Sequence, residues 1–146
     1  MTIENIIIAS DRAGFELKSF LMEKMRTSKD YHFVDFGTDG DEAVDYPDYA
    51  RKVAMAILAG EANYGILICG TGIGMSMAAN RFRGIRAGLC HGSLEARLTR
   101  EHNDANILCL GARIIGNECA LENVNVFLST KFSGGRHSDR IRKLDL

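Results

Sequence analysis

A thiol, a histidine, a carboxylate and four guanidiniums recur in this 146-residue chain beside turns able to gather them around a small anion. The densest of these turns is Cys69-Gly70-Thr71-Gly72-Ile73-Gly74, directly after the apolar run Ile66-Leu67-Ile68. Glycines at alternate positions let the backbone turn sharply and aim several N–H groups at one point. A helix start just beyond adds a potential favourable to negative charge. A phosphate, a carboxylate or a developing oxyanion would satisfy that geometry. A dinucleotide fingerprint is excluded because Met75 stands where its third glycine belongs, and a P-loop is excluded because no Gly-Lys-Ser/Thr follows. A plain strand-to-helix turn is the bland alternative. Cys69 at the mouth of this nest would be favoured as a thiolate, fit to act as base or nucleophile, although an isolated cysteine is more often a structural one.

Other polar groups stand near other turns. Asp11 and Arg12 follow the run Ile6–Ala9; Asp11 could serve only as a helix cap, whereas Arg12 carries donors suited to phosphate. Tyr46, in Asp45-Tyr46-Pro47, could reach a ligand hydroxyl. His102 and Asn103 lie in the polar segment 99–104, where His102 is either a surface or capping residue or an acid/base. Arg113 follows Gly111-Ala112, and Arg136 and Arg140 are four apart, on one face if that segment is helical. Together these residues suit a small phosphorylated substrate undergoing proton transfer.

Five short apolar runs must position them: Ile6–Ala9, Phe33–Phe36, Ile66–Cys69, Ala87–Cys90 and Ile107–Leu110. Most are continuously apolar, as strands covered on both faces must be. Helical stripes lie between and after them: Leu17, Phe20, Leu21 and Met25; Ala50, Val53, Ala54, Ile57 and Leu58, entered at Pro47 and closed by Gly60; Met75, Ala78, Ala79 and Phe82. A last stripe, Ala120, Leu121, Val124, Phe127 and Leu128, is expected to be capped at Asn117. Alternation of strand and helix predicts a single-domain, Rossmann-like α/β/α sandwich over 1–146 with a five-stranded parallel sheet. Ligands in such sheets bind beyond the carboxyl ends of the strands, so the functional residues are expected just after positions 9, 36, 69, 90 and 110.

Bulk properties narrow the function further. The net charge is −1, which argues against a nucleic-acid or membrane-surface partner, although the segment from Lys131 onward holds five Lys/Arg against two Asp. The four cysteines form no C-x-x-C pair and have no histidine at zinc-ligand spacing, so no metal is expected; Cys90, Cys109 and Cys119 read as structural thiols. With reduced thiols, no basic leader and no run long enough to span a membrane, the chain reads as cytoplasmic.

The segments Ser10-Asp11-x-Ala13-Gly14-Phe15-x-Leu17-Lys18, Asp45-Tyr46-Pro47, Ile68 to Gly74, His102-Asn103-Asp104-Ala105-Asn106, Gly111-Ala112-Arg113 and Gly134-Gly135-Arg136-His137 occur in this order along nearly the whole chain. In that combination the sequence resembles the ribose-5-phosphate isomerase B family, which also includes the galactose-6-phosphate isomerase subunits; its Cys69 motif is similar to the ribose type. The resemblance implies an aldose-ketose isomerase of the non-oxidative pentose phosphate pathway, interconverting ribose 5-phosphate and ribulose 5-phosphate through an enediolate without metal or organic cofactor. It implies that His102 opens the sugar ring, that Cys69 shuttles the carbon-bound proton and that Thr71 relays a hydroxyl proton. Gly70, Thr71, Gly72, Ile73 and Gly74 would hold the enediolate oxygen. Arg113, Arg136 and Arg140 would hold the phosphate, and Asp11 and Asn103 the sugar hydroxyls. It further implies a homodimer or tetramer with active sites shared between subunits, segment 131–146 packing on the partner. Arg12 departs from the family, which usually has histidine there; a phosphate donor is retained and a proton-transfer role is lost. The competing expectations are a six-carbon substrate such as allose 6-phosphate, and a non-catalytic module that binds a sugar phosphate or nucleotide.

Overall fold

Runs of β-branched and aliphatic residues become strands where both faces are covered, and segments of helical period become the covering layers. The computed structural model describes residues 2–40 and 42–145. Its elements are β1 (Glu4–Ser10), α1 (Phe15–Met25), β2 (Tyr31–Asp35), α2 (Tyr46–Leu58), β3 (Tyr64–Cys69), α3 (Ile73–Ala79), β4 (Ala87–Leu89), α4 (Ser93–Asn103), β5 (Ile107–Gly111), α5 (Asn117–Ser129) and α6 (Arg136–Arg142), followed by a 3₁₀ turn at Lys143–Asp145. All strand pairs are parallel, in the order β2-β1-β3-β5-β4. The expected five-stranded parallel α/β/α sandwich is therefore the observed architecture.

Side chains alternate across the central strands, as the period of two demands. Ile6, Ile8, Ile66, Ile68, Leu108 and Leu110 pack toward α1, α4 and α5, while Ile7, Ala9, Leu67, Cys69, Ile107 and Cys109 pack toward α2 and α3. Cys69 thus belongs to the α2/α3 side. Lys18 is sequestered in the first layer, 1 % exposed, where its Nζ donates to Asp35 Oδ1 and to the Thr38 carbonyl, both at 2.6 Å. This ties α1 to the end of β2 and to the loop beyond it.

Two local expectations change. The N-cap of α5 is Gly116, with Asn117 as the first helical residue and no side-chain cap bond. β4 is only three residues long and half-buried, because it is the sheet's edge and has one strand neighbour instead of two. On its open side the Asn80 carboxamide accepts from Ala87 N–H (2.8 Å) and donates to Ala87 C=O (3.0 Å). α4 carries no apolar stripe; only Ala96 and Arg100 are buried.

Candidate functional site

β1 and β3 are neighbours, and the chain leaves their carboxyl ends toward opposite faces, α1 covering one and α3 the other. This opens a crevice of the kind that binds ligands in parallel sheets. From β3 the chain enters the turn Gly70–Gly72. Gly72 has φ +78°, and a Cβ there would stand 2.6 Å from Leu89 Cδ1 and 3.0 Å from the Leu110 backbone, so glycine alone fits. The tight turn folds Gly72 N–H back onto Cys69 Sγ at 3.1 Å. Thr71 Oγ1 accepts from Ile73 N–H at 3.2 Å, which leaves its own proton free to donate outward.

Around this nest stand further groups. Asp11 N–H donates to Ile68 C=O (3.2 Å), and Asp11 Oδ1 accepts from Gly14 N–H (3.1 Å), so the Asp11–Gly14 turn is stitched to the end of β3. A Cβ on Gly14 would stand 2.6 Å from the Ile68 oxygen, which shows how closely the two turns approach. Arg12 is exposed within that turn. The Tyr46 ring overlies Gly74, whose notional Cβ would meet it at 2.6 Å. Arg113 N–H donates to Gly70 C=O (2.9 Å), and its guanidinium reaches over Gly70, 3.5 Å from that residue's notional Cβ. Cys69, Thr71, Asp11, Arg12, Tyr46, Gly70 to Gly74 and Arg113 are therefore all at one end of the sheet.

His102, Asn103, Arg136 and Arg140 are not. α4 starts beyond the carboxyl end of β4 and runs back against the strands, so its last turn lies at their amino ends. Asn106 C=O accepts from Gly65 N–H at 2.9 Å, which fixes this end of the chain beside the first residues of β3. Gly65 and Cys69 are four steps apart on β3, about 13 Å at strand rise. The expectation that all functional residues follow the carboxyl ends of the strands is corrected here: within one chain they form two groups at opposite ends.

The second group has its own order. The rings of His102 and His137 stack, centroids 4.6 Å apart and planes at 18°. With Asn103 and Arg140 they line a cavity of about 240 Å³. α6 places Arg136 and Arg140 one turn apart, as their spacing predicts. His137 has its pKa lowered, by desolvation first and then by His102, Arg136 and Arg140, the crowding of positive charge that an anion would relieve. His137 stands in the Gly-Gly-Arg-His motif but received no role from sequence; its signal was adjacency to Arg136. The other thiols fit structural roles. Burial pushes Cys90 up to about 12, with Glu95 adding to it, and drives fully buried Cys109 well above the ordinary thiol value.

Known proteins are similar to this chain in sequence and in shape. Residues 6–144 match the family described as Ribose/Galactose Isomerase. The chain is 42 % identical to ribose-5-phosphate isomerase B of Escherichia coli (strain K12) over 97 % of its own length and 95 % of that protein's. A ribose 5-phosphate isomerase from Thermotoga maritima is similar in structure, with a TM-score of 0.94 at 56 % identity and 97 % of each chain covered. The type B ribose 5-phosphate isomerase of Trypanosoma brucei superposes with a TM-score of 0.95 at 42 % identity, covering 99 % of this chain and 98 % of the other. No helix among the described residues is long and apolar enough to cross a membrane.

Proposed function

This chain belongs to the ribose/galactose isomerase family and is a sugar phosphate isomerase; from that premise we propose that it interconverts ribose 5-phosphate and ribulose 5-phosphate. The observation that carries the reading is the Cys69 thiol at the end of β3, with the Gly72 N–H on its sulfur and the Arg113 guanidinium across Gly70.

Catalysis then divides between two copies of the chain. One supplies Cys69, Thr71, Asp11, Arg12, Tyr46, Gly70 to Gly74 and Arg113, the other His102, Asn103, Arg136 and Arg140. His102 moves the proton that opens the furanose ring. Cys69 as thiolate takes the C2 proton of the open aldose, and the electrons left behind form the C1–C2 double bond of an enediolate. The oxyanion on O1 sits in the glycine nest, where fixed N–H dipoles need no reorganisation as charge develops. Thr71 relays the hydroxyl proton between O2 and O1, and Cys69 returns its proton to C1, giving the ketose. Arg113, Arg136, Arg140 and Arg12 hold the phosphate, while Asp11, Asn103 and Tyr46 bind hydroxyls and fix the chain of the sugar. Support for the shared site comes from the separation of the two groups along the sheet and from the basic α6 beside His102.

The test is conversion of ribose 5-phosphate by wild type and by Cys69→Ser, beside allose 6-phosphate as competitor. The reading expects a higher kcat/KM on the pentose and a loss of about 10²-fold or more in kcat for the variant. A higher kcat/KM on the hexose would move the assignment to the six-carbon substrate. Binding of the sugar phosphate without any conversion would make the chain a sensor instead.

A further inference from the structure

His102 and Asn103 end α4, and the residue that closes this helix is unusual. Asp104, the C-cap, has φ +47° and ψ +46° and is the one non-glycine residue with positive φ among those described. Glycine or asparagine is the ordinary occupant of such a cap. Aspartate fits here because its carboxylate has two guanidinium partners: Oδ1 accepts from Arg100 Nη1 at 2.8 Å, and Oδ2 from Arg86 Nη2 at 3.4 Å. The same two arginines also satisfy carbonyls of this end of the chain. Arg86 Nε donates to Asn103 C=O at 3.1 Å and Asp104 C=O at 2.9 Å, and Arg100 Nη1 donates to Ala105 C=O at 2.8 Å.

Both arginines are themselves fixed. Arg100 is 3 % exposed, with its guanidinium 4.8 Å from the Tyr64 ring centroid and 5.8 Å from that of Phe127, and its Nε donates to Thr130 C=O at 3.0 Å. Arg86 is anchored through its own N–H to Asn106 Oδ1 at 2.8 Å, while Asn106 Nδ2 donates to Gly84 C=O at 2.9 Å. Charge-assisted bonds from a half-buried frame thus converge on the two residues after His102. Asp104 and Asn106 carry no substrate contact in the proposed function; their side-chain hydrogen bonds run into this frame.

We propose that Asp104, gripped by Arg86 and Arg100, is a positioning residue that sets the helix end from which His102 and Asn103 reach the substrate and keeps His102 stacked on His137. The inference rests on the proposed roles of His102 and Asn103. Its chemistry is that of a supporting shell: a proton-transfer group is effective only when held near its productive pose.

Asp104→Gly keeps the left-handed backbone and removes the carboxylate; Asp104→Asn keeps backbone tolerance and shape but loses the charge. Three quantities are read on the full-length protein: kcat, KM for ribose 5-phosphate, and the ring-current-shifted imidazole proton resonances of His102. The expected result is a fall of about tenfold in kcat for Asp104→Gly with KM within about twofold, a smaller fall for Asp104→Asn, and movement of the His102 resonances toward unstacked values. Should Asp104→Gly fail to fold, Asp104→Asn carries the same three readings. Unchanged kcat together with unmoved His102 resonances overturns the proposal, whether or not KM changes. His102→Ala run in parallel separates the two failures. If it remains fully active, the role of His102 falls, and the resonances still decide whether Asp104 positions the ring.

Discussion

Two inactive variants of this protein should restore activity to each other. In Cys69→Ala the nest loses its base, and in His102→Ala the opposite end loses its ring-opening acid. The two residues lie at opposite ends of the strands, about 13 Å apart along β3 alone, with the sheet between them, far beyond the reach of one substrate-bound proton relay. If each site takes its thiol end from one copy and its histidine end from another, a mixed dimer has one site with both groups intact and one with neither. Random reassortment of equal amounts gives mixed dimers as half the population, each with one working site of two, so the mixture should recover about a quarter of wild-type activity. Co-refolding the two variants and following conversion of ribose 5-phosphate measures this directly. A mixture no more active than its parents would refute the shared site and place all chemistry at one end of a single chain.

Further outcomes test other parts of the reading. Gly72→Ala combines a left-handed backbone, about 1–2 kcal/mol, with a Cβ pressed on Leu89 and Leu110, about 1–3 kcal/mol more, and chemical denaturation should show a loss in that combined range. Wild-type stability there would mean the turn is looser than its contacts imply. Arg12→Ala should raise KM for ribose 5-phosphate about tenfold with kcat nearly unchanged, as loss of uniform phosphate binding requires; a fall in kcat alone would assign Arg12 to the chemistry instead. Iodoacetamide at mildly alkaline pH should label Cys69, 5 % exposed at the strand end, and abolish activity, with half-buried Cys119 also taking label, while Cys90 and Cys109, whose thiols burial holds protonated, stay unmodified by peptide mass mapping. Equal labelling of Cys90 would contradict its environment. The lowered pKa of His137 means that the unfolded chain binds that proton more readily, so its contribution is complete above about 6.5 and is lost as pH falls from there through the folded value. Melting temperature should therefore drop more steeply below pH 6.5 in wild type than in His137→Gln, and sulfate should oppose the drop; parallel curves would count against the charge crowding.

How much of this was legible in the sequence depended on what each residue packs against. The central strands announce themselves, because Ile6–Ala9, Ile66–Cys69 and Ile107–Leu110 are buried on both faces and tolerate no polar residue. The glycine turn was equally readable, since only a nest or a close approach requires glycine at alternate positions. α4 was hard to read as a helix, because it covers the sheet with Ala96 and the stem of Arg100 instead of an apolar stripe, although a parallel sheet sets the direction in which it returns the chain. That direction is what separates His102 from Cys69. Residues such as Lys18, Arg86 and Asp104 were opaque for a different reason. Lys18 meets Asp35 and Arg86 meets Asp104, and no local spacing encodes a contact made seventeen or eighteen residues away.

The amide of Asn80 on Ala87 also limits what the sheet can become. An open strand edge offers alternating N–H and C=O groups to any extended chain that drifts past, which is how stacked aggregates begin. Here the edge is three residues long, and one side chain already occupies both outward groups of its first residue, in the place an added strand would take. An incoming segment would have to displace a bidentate amide for very few new bonds. The sheet therefore carries its own stop at β4, a guard against runaway self-association provided by a single neutral side chain.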